Sequence, residues 1–212
     1  MGLHNVSKPG SLARSAEFLR RAGHWLTPVV ITVIAIVIAA FGSVGTELLK
    51  YDRLAIADGG EYWRLLSGHF AHLGPEHLLL NIAGLVLVWL LVGRQYTTRQ
   101  WLIVTVFSLV VISLGFWTLD PNLLWYVGLS GLLHGLLIAG AIGSVRTRPV
   151  ESMIIIVAVA GKLAYEQVLG PLPGSEATAG GTVITNAHLF GAFGGAMVAA
   201  LLWRRDKPAA SI

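Results

Sequence analysis

Residues 128–148 read Gly-Leu-Ser-Gly-Leu-Leu-His-Gly-Leu-Leu-Ile-Ala-Gly-Ala-Ile-Gly-Ser-Val-Arg-Thr-Arg. A serine between glycines opens an apolar run that closes on Arg146 and Arg148. As a helix the run from 130 to 144 measures roughly 22 Å, too short for a hydrocarbon core of about 30 Å. The arginines fix its inner end, so the missing length lies at the outer end. Ser130 is therefore expected below the outer surface, at a helix N-terminus whose backbone N–H groups point toward it. Residues 123–127 must descend to it as non-helical chain, which a membrane tolerates only where protein or a wet cavity surrounds it.

The rest of the chain agrees with a membrane setting. Of its 212 residues 55% are hydrophobic and 12% charged, with a mean hydropathy of +0.71. A soluble domain carries about twice that share of charge. Six apolar segments are expected, at 27–44, 77–93, 100–119, 130–144, 150–169 and 183–203. The fold class is thus an all-α polytopic membrane protein. The first segment is long and lacks a small-x-small cleavage site, so it is read as an uncleaved span. Lys8, Arg14, Arg20, Arg21, Arg94, Arg99, Arg146, Arg148, Arg204, Arg205 and Lys207 fall on one side of these spans. Only Lys50, Arg53 and Arg64 fall on the other, among seven acidic residues such as Glu47, Asp120 and Glu176. That bias places both termini in the cytoplasm. The expected organisation is a cytoplasmic segment over 1–26, a six-span core over 27–203 and a cytoplasmic tail over 204–212. The loop 45–76 is amphipathic, with Trp63, Leu65, Leu66 and Phe70, and is expected to lie in the interface. The loop 170–182 is a candidate lid.

Composition also excludes several chemistries. Without cysteine there is no disulfide, thiol nucleophile or cysteine-ligated zinc. The basic residues form topological clusters rather than a nucleic-acid patch. Glu61, His69, His72, Glu76 and His77 match no metal-ligand spacing, so no metal or other cofactor is expected.

Polar residues inside spans are costly and point to function. His188 lies about five residues into its span, roughly 8 Å from the outer end, at the depth expected for Ser130. Small residues recur every four positions in both helices: Gly131, Gly135, Ala139 and Gly143, then Ala187, Gly191, Gly195 and Ala199. Such stripes permit close helix packing in lipid and would bring hydroxyl to imidazole, with Ser130 as nucleophile and His188 as general base. His77 and Asn81 share one helix face near the outer end of their span. With the Ser130 N–H they are candidate donors to an oxyanion. No Asp or Glu is expected at this depth, which favours a Ser-His dyad over a triad. Lys162 and Glu166, four apart, form an expected intramembrane ion pair and are candidate substrate contacts near an opening between the second and fifth spans.

In order and on matching spans, Gly128-Leu129-Ser130-Gly131, Ala187-His188 with Gly191 and Gly195, His77-x-x-x-Asn81, and Trp63-Arg64 with His72 resemble the rhomboid intramembrane serine proteases. Within them the chain is most similar to the rhombosortase branch, through the stretch Gly60 to Phe70, the stretch Gly128 to Gly135, and Lys162 to Gly170 with Tyr165-Glu166. That resemblance implies a six-helix rhomboid fold in a bacterial inner membrane, opening to the periplasmic side. It further implies a membrane-anchored substrate ending in a GlyGly-CTERM tail: a Gly-rich motif, a transmembrane helix and a basic end. Rhomboids usually place an aromatic ring four residues after the serine, stacked on the histidine. Here that residue is His134, a candidate for orienting His188. His188 is preferred as base because His134 shares a helix with Ser130. The alternatives are a general rhomboid protease of single-span proteins and a non-proteolytic rhomboid-like client binder. A small transporter would show paired broken helices and an internal repeat.

Overall fold

The computed structural model describes residues 24–205. Most of the 1–26 segment and of the 204–212 tail, with Lys8, Arg14, Arg20, Arg21 and Lys207, lies outside the described residues. The chain runs α1 (Leu26–Ala40), α2 (Gly42–Leu49), β1 (Tyr51–Asp52), α3 (Arg53–Ala57), α4 (Arg64–Ser67), α5 (Pro75–Val92), α6 (Thr98–Leu119), β2 (Trp125–Tyr126), α7 (Ser130–Ser144), α8 (Pro149–Leu169), α9 (Ser175–Ala179) and α10 (Thr185–Arg205). Local sequence explains the long helices' starts. Pro75 and Pro149 occupy first-turn positions, where a missing N–H costs nothing. Thr97 and Gln100 form a reciprocal capping box before α6.

Four helices, α5, α6, α8 and α10, are long and apolar enough to cross a bilayer. The expected 27–44 span needs correction. Its helix stops at Ala40, and α2 leaves at a 115° bend through Gly42, whose φ is +58°, a conformation glycine adopts without strain. α7 has only 15 residues, as its sequence predicts.

α7 stands at the centre, packed against α5, α6, α8 and above all α10. Its glycines allow that. A Cβ on Gly131 would come within 2.8 Å of the Ala187 carbonyl oxygen, and one on Gly135 within 2.8 Å of the Gly191 carbonyl. In return, a Cβ on Gly191 would run into the Gly131 carbonyl, and one on Gly195 into that of Gly135. The pairs advance in the same order along both helices, so α7 and α10 run parallel, backbone against backbone. Gly143 departs from the expected stripe: it accommodates the Tyr96 ring, whose hydroxyl would lie 2.5 Å from an added Cβ. Below the site the core closes with Leu85, Trp89, Trp101, Leu132 and Leu136.

The loop before α5 is folded. Arg64, buried, donates to the carbonyls of Glu47 (2.8 Å) and Lys50 (3.1 Å) and pairs with Glu61 at 2.5 Å. Ser67 donates to the Leu49 carbonyl at 2.7 Å. Together they satisfy the C-terminal carbonyls of α2 that no helical partner reaches. Arg53 does the same for α6, donating to the carbonyls of Phe116 and Asp120 (3.0 Å), and also to that of Leu123 (3.1 Å) in the loop beyond. Tyr51 and Asp52 then pair antiparallel with Tyr126 and Trp125. The non-helical segment leading to Ser130 is thereby held as a short strand.

Candidate active site

Ser130 is the first residue of α7 and His188 lies in the first turn of α10. The parallel packing of these helices sets the Ser130 Oγ 3.0 Å from His188 Nε2. The histidine is buried. A serine hydroxyl donating to a bare imidazole nitrogen is the ground state from which a base-assisted attack begins.

The other ring nitrogen meets Glu166. Its Oε2 lies 2.9 Å from His188 Nδ1, so Nδ1 carries the hydrogen and donates it. Glu166 Oε1 accepts from Lys162 Nζ at 2.6 Å. Lys162 Nζ is also 3.3 Å from His188 Nδ1; with both groups donors toward the same carboxylate, this is proximity rather than a bond. The expectation that no carboxylate stands at the depth of the pair is therefore corrected. Glu166 is three residues from the end of α8 at Leu169, and His188 three from the start of α10 at Thr185. Both lie about one helical turn deep.

His134 stacks on His188, with ring centroids 4.3 Å apart and planes inclined by 22°. Its Nδ1 donates to the Ser130 carbonyl at 2.7 Å. That bond holds the ring flat against the imidazole, in the position the missing aromatic would fill.

Against Gly128, two residues before Ser130, stand His77 and Asn81, both buried. His77 Nδ1 accepts from the Leu73 N–H at 3.4 Å, which leaves the hydrogen on Nε2. That nitrogen faces Gly128: a Cβ there would lie 3.0 Å from it and 3.9 Å from Asn81 Nδ2. Gly128 also has φ +122°, so both backbone conformation and space demand glycine. Asn81 spends one amide hydrogen on the His77 carbonyl, at 3.1 Å, and keeps the other. Tyr126, which nothing in the sequence singled out, donates to the Gly128 carbonyl at 2.6 Å and lies beside the Ser130 hydroxyl and the Gly131 N–H.

His72 and His69 brace the approach from the loop. His72 donates from Nδ1 to the Phe70 carbonyl at 3.0 Å and sets its ring edge-on to His77, 5.0 Å away. Burial, with the His77 ring adding to it, holds His72 down at about 4. His69 is wholly enclosed and donates from Nε2 to Ser113 Oγ at 3.0 Å, since Ser113 spends its own hydrogen on the Leu65 carbonyl. Burial holds it down at about 4 too. Both rings are therefore neutral near pH 7. Among the described residues no group of three or more acidic or imidazole side chains is arranged to hold a metal ion.

The loop expected as a lid contains α9, which packs on α5; Gly181 meets Leu73 there. α8 is the least enclosed of the four long helices. It packs on α7 and α10 and presents Val150, Met153, Ile154, Val157 and Val168 outward.

The family model described as Rhomboid domain matches residues 59–205, more than half of the chain, and takes in Ser130, His188, His77, Asn81 and Glu166. No curated protein matches the chain. With that match and its apolar helices, the chain is an integral membrane protein. It belongs to the rhomboid family, whose members are intramembrane serine proteases.

Proposed function

We propose that the chain is an intramembrane serine endopeptidase in which Ser130 is the nucleophile and His188 its base. The observation that carries this reading is the 3.0 Å contact between Ser130 Oγ and His188 Nε2. His188 takes the hydroxyl proton as Oγ attacks the scissile carbonyl. The resulting oxyanion accepts from the Ser130 N–H, His77 Nε2–H and Asn81 Nδ2–H. His188 then passes its proton to the leaving amine. Water, deprotonated by the same nitrogen, releases the acyl group and regenerates Ser130.

In this reading six helices span a bacterial inner membrane, both termini are cytoplasmic, and the site opens to the periplasmic side. The charge bias of the loops supports that orientation. The substrate is a membrane-anchored protein ending in a GlyGly-CTERM tail, whose helix reaches Ser130 laterally and unwinds at its Gly-rich end. The rhombosortase resemblance supports this choice.

The test is co-expression with a reporter carrying such a tail, comparing wild type with Ser130→Ala and His188→Ala. Cleavage is expected from wild type only, with losses in the variants of about a thousandfold or more. Cleavage that survives Ser130→Ala overturns the mechanism. A wild type that spares this tail but cuts another single-span substrate leaves the chemistry and removes the branch assignment.

A further inference from the structure

We infer that Glu166 is a positioning residue completing a Ser130–His188–Glu166 triad, with Lys162 supplying the charge that lets this carboxylate stay ionised inside the membrane. The inference rests on the proposed roles of Ser130 and His188 and adds a third member to them. Its first support is the division of labour between the two carboxylate oxygens. A plain i, i+4 ion pair on α8 would engage Lys162 alone. Here Oε1 takes the lysine at 2.6 Å, while Oε2 turns away to the imidazole Nδ1 at 2.9 Å.

The second support is burial. The Glu166 side chain is 2% exposed and that of Lys162 29%, so the carboxylate is sealed away from any substrate helix and faces the catalytic ring. An unpaired carboxylate there would neutralise itself by taking a proton, because hydrocarbon does not solvate charge. Lys162 removes that pressure. The resting pair is neutral overall, yet it presents a negative oxygen to His188.

The consequence for the reaction is twofold. Donation from Nδ1–H to Glu166 fixes the tautomer in which Nε2 is bare toward the Ser130 Oγ. When Nε2 takes the Ser130 proton, the imidazolium forms with a carboxylate already in contact. Glu166 keeps its charge throughout, and no proton moves to it. The remaining groups facing His188 are the His134 ring, which stacks without donating to it, and the Lys162 ammonium. The carboxylate stands between that ammonium and the ring, with one oxygen on each.

The decisive experiment compares wild type, Glu166→Gln and the double variant Lys162→Met/Glu166→Gln, all purified in lipid. Three quantities are measured: labelling of Ser130 by a small alkyl fluorophosphonate, kcat and KM on a tailed substrate, and Tm. The probe lacks a transmembrane segment, so it reports on the nucleophile apart from substrate docking. Glu166→Gln is expected to slow labelling and kcat together by about a hundredfold or more, with KM within threefold. The double variant removes the lysine left unpaired and is expected to recover Tm while staying equally slow. Wild-type labelling in the double variant would reduce the pair to a structural bridge and overturn the proposal. Normal labelling with a raised KM would make these residues substrate contacts and overturn it too. A wild type whose Ser130 the probe never labels refutes the underlying site reading instead.

Discussion

His77 is tied to Leu73 through one nitrogen, so its second nitrogen keeps its hydrogen for the space beside Gly128. Asn81 likewise has one amide hydrogen left after bonding the His77 carbonyl. Donors fixed before substrate arrives need no reorganisation during the reaction. His77→Ala and Asn81→Ala are therefore each expected to lower kcat about a hundredfold while leaving KM within a few-fold. A KM effect alone, measured in steady-state cleavage, would refute an oxyanion role. Ser130, His188, His77 and Asn81 were legible in the sequence because each is a polar group at a countable depth in an apolar helix. Glu166 was legible only as the partner of Lys162: four-residue spacing accounted for one carboxylate oxygen, and no pattern reports where the second one points. Tyr126 left no trace at all, because its role comes from β2 pairing with a strand some 75 residues earlier.

Helices α7 and α10 meet through glycines so closely that neither Gly191 nor Gly195 has room for a methyl group. Gly191→Ala must push the Gly131 carbonyl away, at a cost of about 1–3 kcal/mol. The same displacement parts Ser130 from His188, and an ångström of misplacement costs about a hundredfold in rate. Both a lower Tm and a lower kcat are expected. Gly161→Ala on α8 is the control: no atom lies within 4 Å of its added Cβ, so helix propensity should leave stability unchanged or raised by up to about 1 kcal/mol. Equal effects from the two substitutions, read by thermal unfolding and cleavage rate, would discredit the packing argument. The small-residue stripes foretold this contact down to Gly135 and Gly195. They failed at Gly143, where the rows look alike in sequence but Tyr96 occupies the groove. The bend at Phe41 was equally invisible, since the apolar run continues through Val44 and only a conformation at Gly42 interrupts it.

Across the whole molecule, the helical, membrane-bound character was plain from composition, whereas the folded loop ahead of α5 was not. Its order depends on Arg64, buried, and Arg53, partly buried, serving distant helix ends, and a sequence shows arginines without their destinations. That loop makes folding sensitive to acid. His69 and His72 sit near 4 in the fold against 6.5 when unfolded, so the unfolded chain binds the extra protons. Their contribution is complete above about pH 6.5 and drains away as pH falls toward 4. At pH 5 the loss is on the order of 2 kcal/mol for each ring. Tm in lipid is expected to drop by about 5–15 °C between pH 7 and 5. His69→Gln, which keeps a donor for Ser113, should remove about half of that drop; an unchanged profile would clear His69 of responsibility. The weak enclosure of α8 has a further consequence. Glu166 rides on the helix held least firmly by its neighbours, while Ser130 and His188 ride on the two held most tightly. Any outward swing of α8 that admits a client also withdraws the carboxylate from the imidazole. With the triad proposed above, hydrolysis then waits until the helix has closed behind its guest. Admission and cutting become successive events, and a client that visits briefly departs intact.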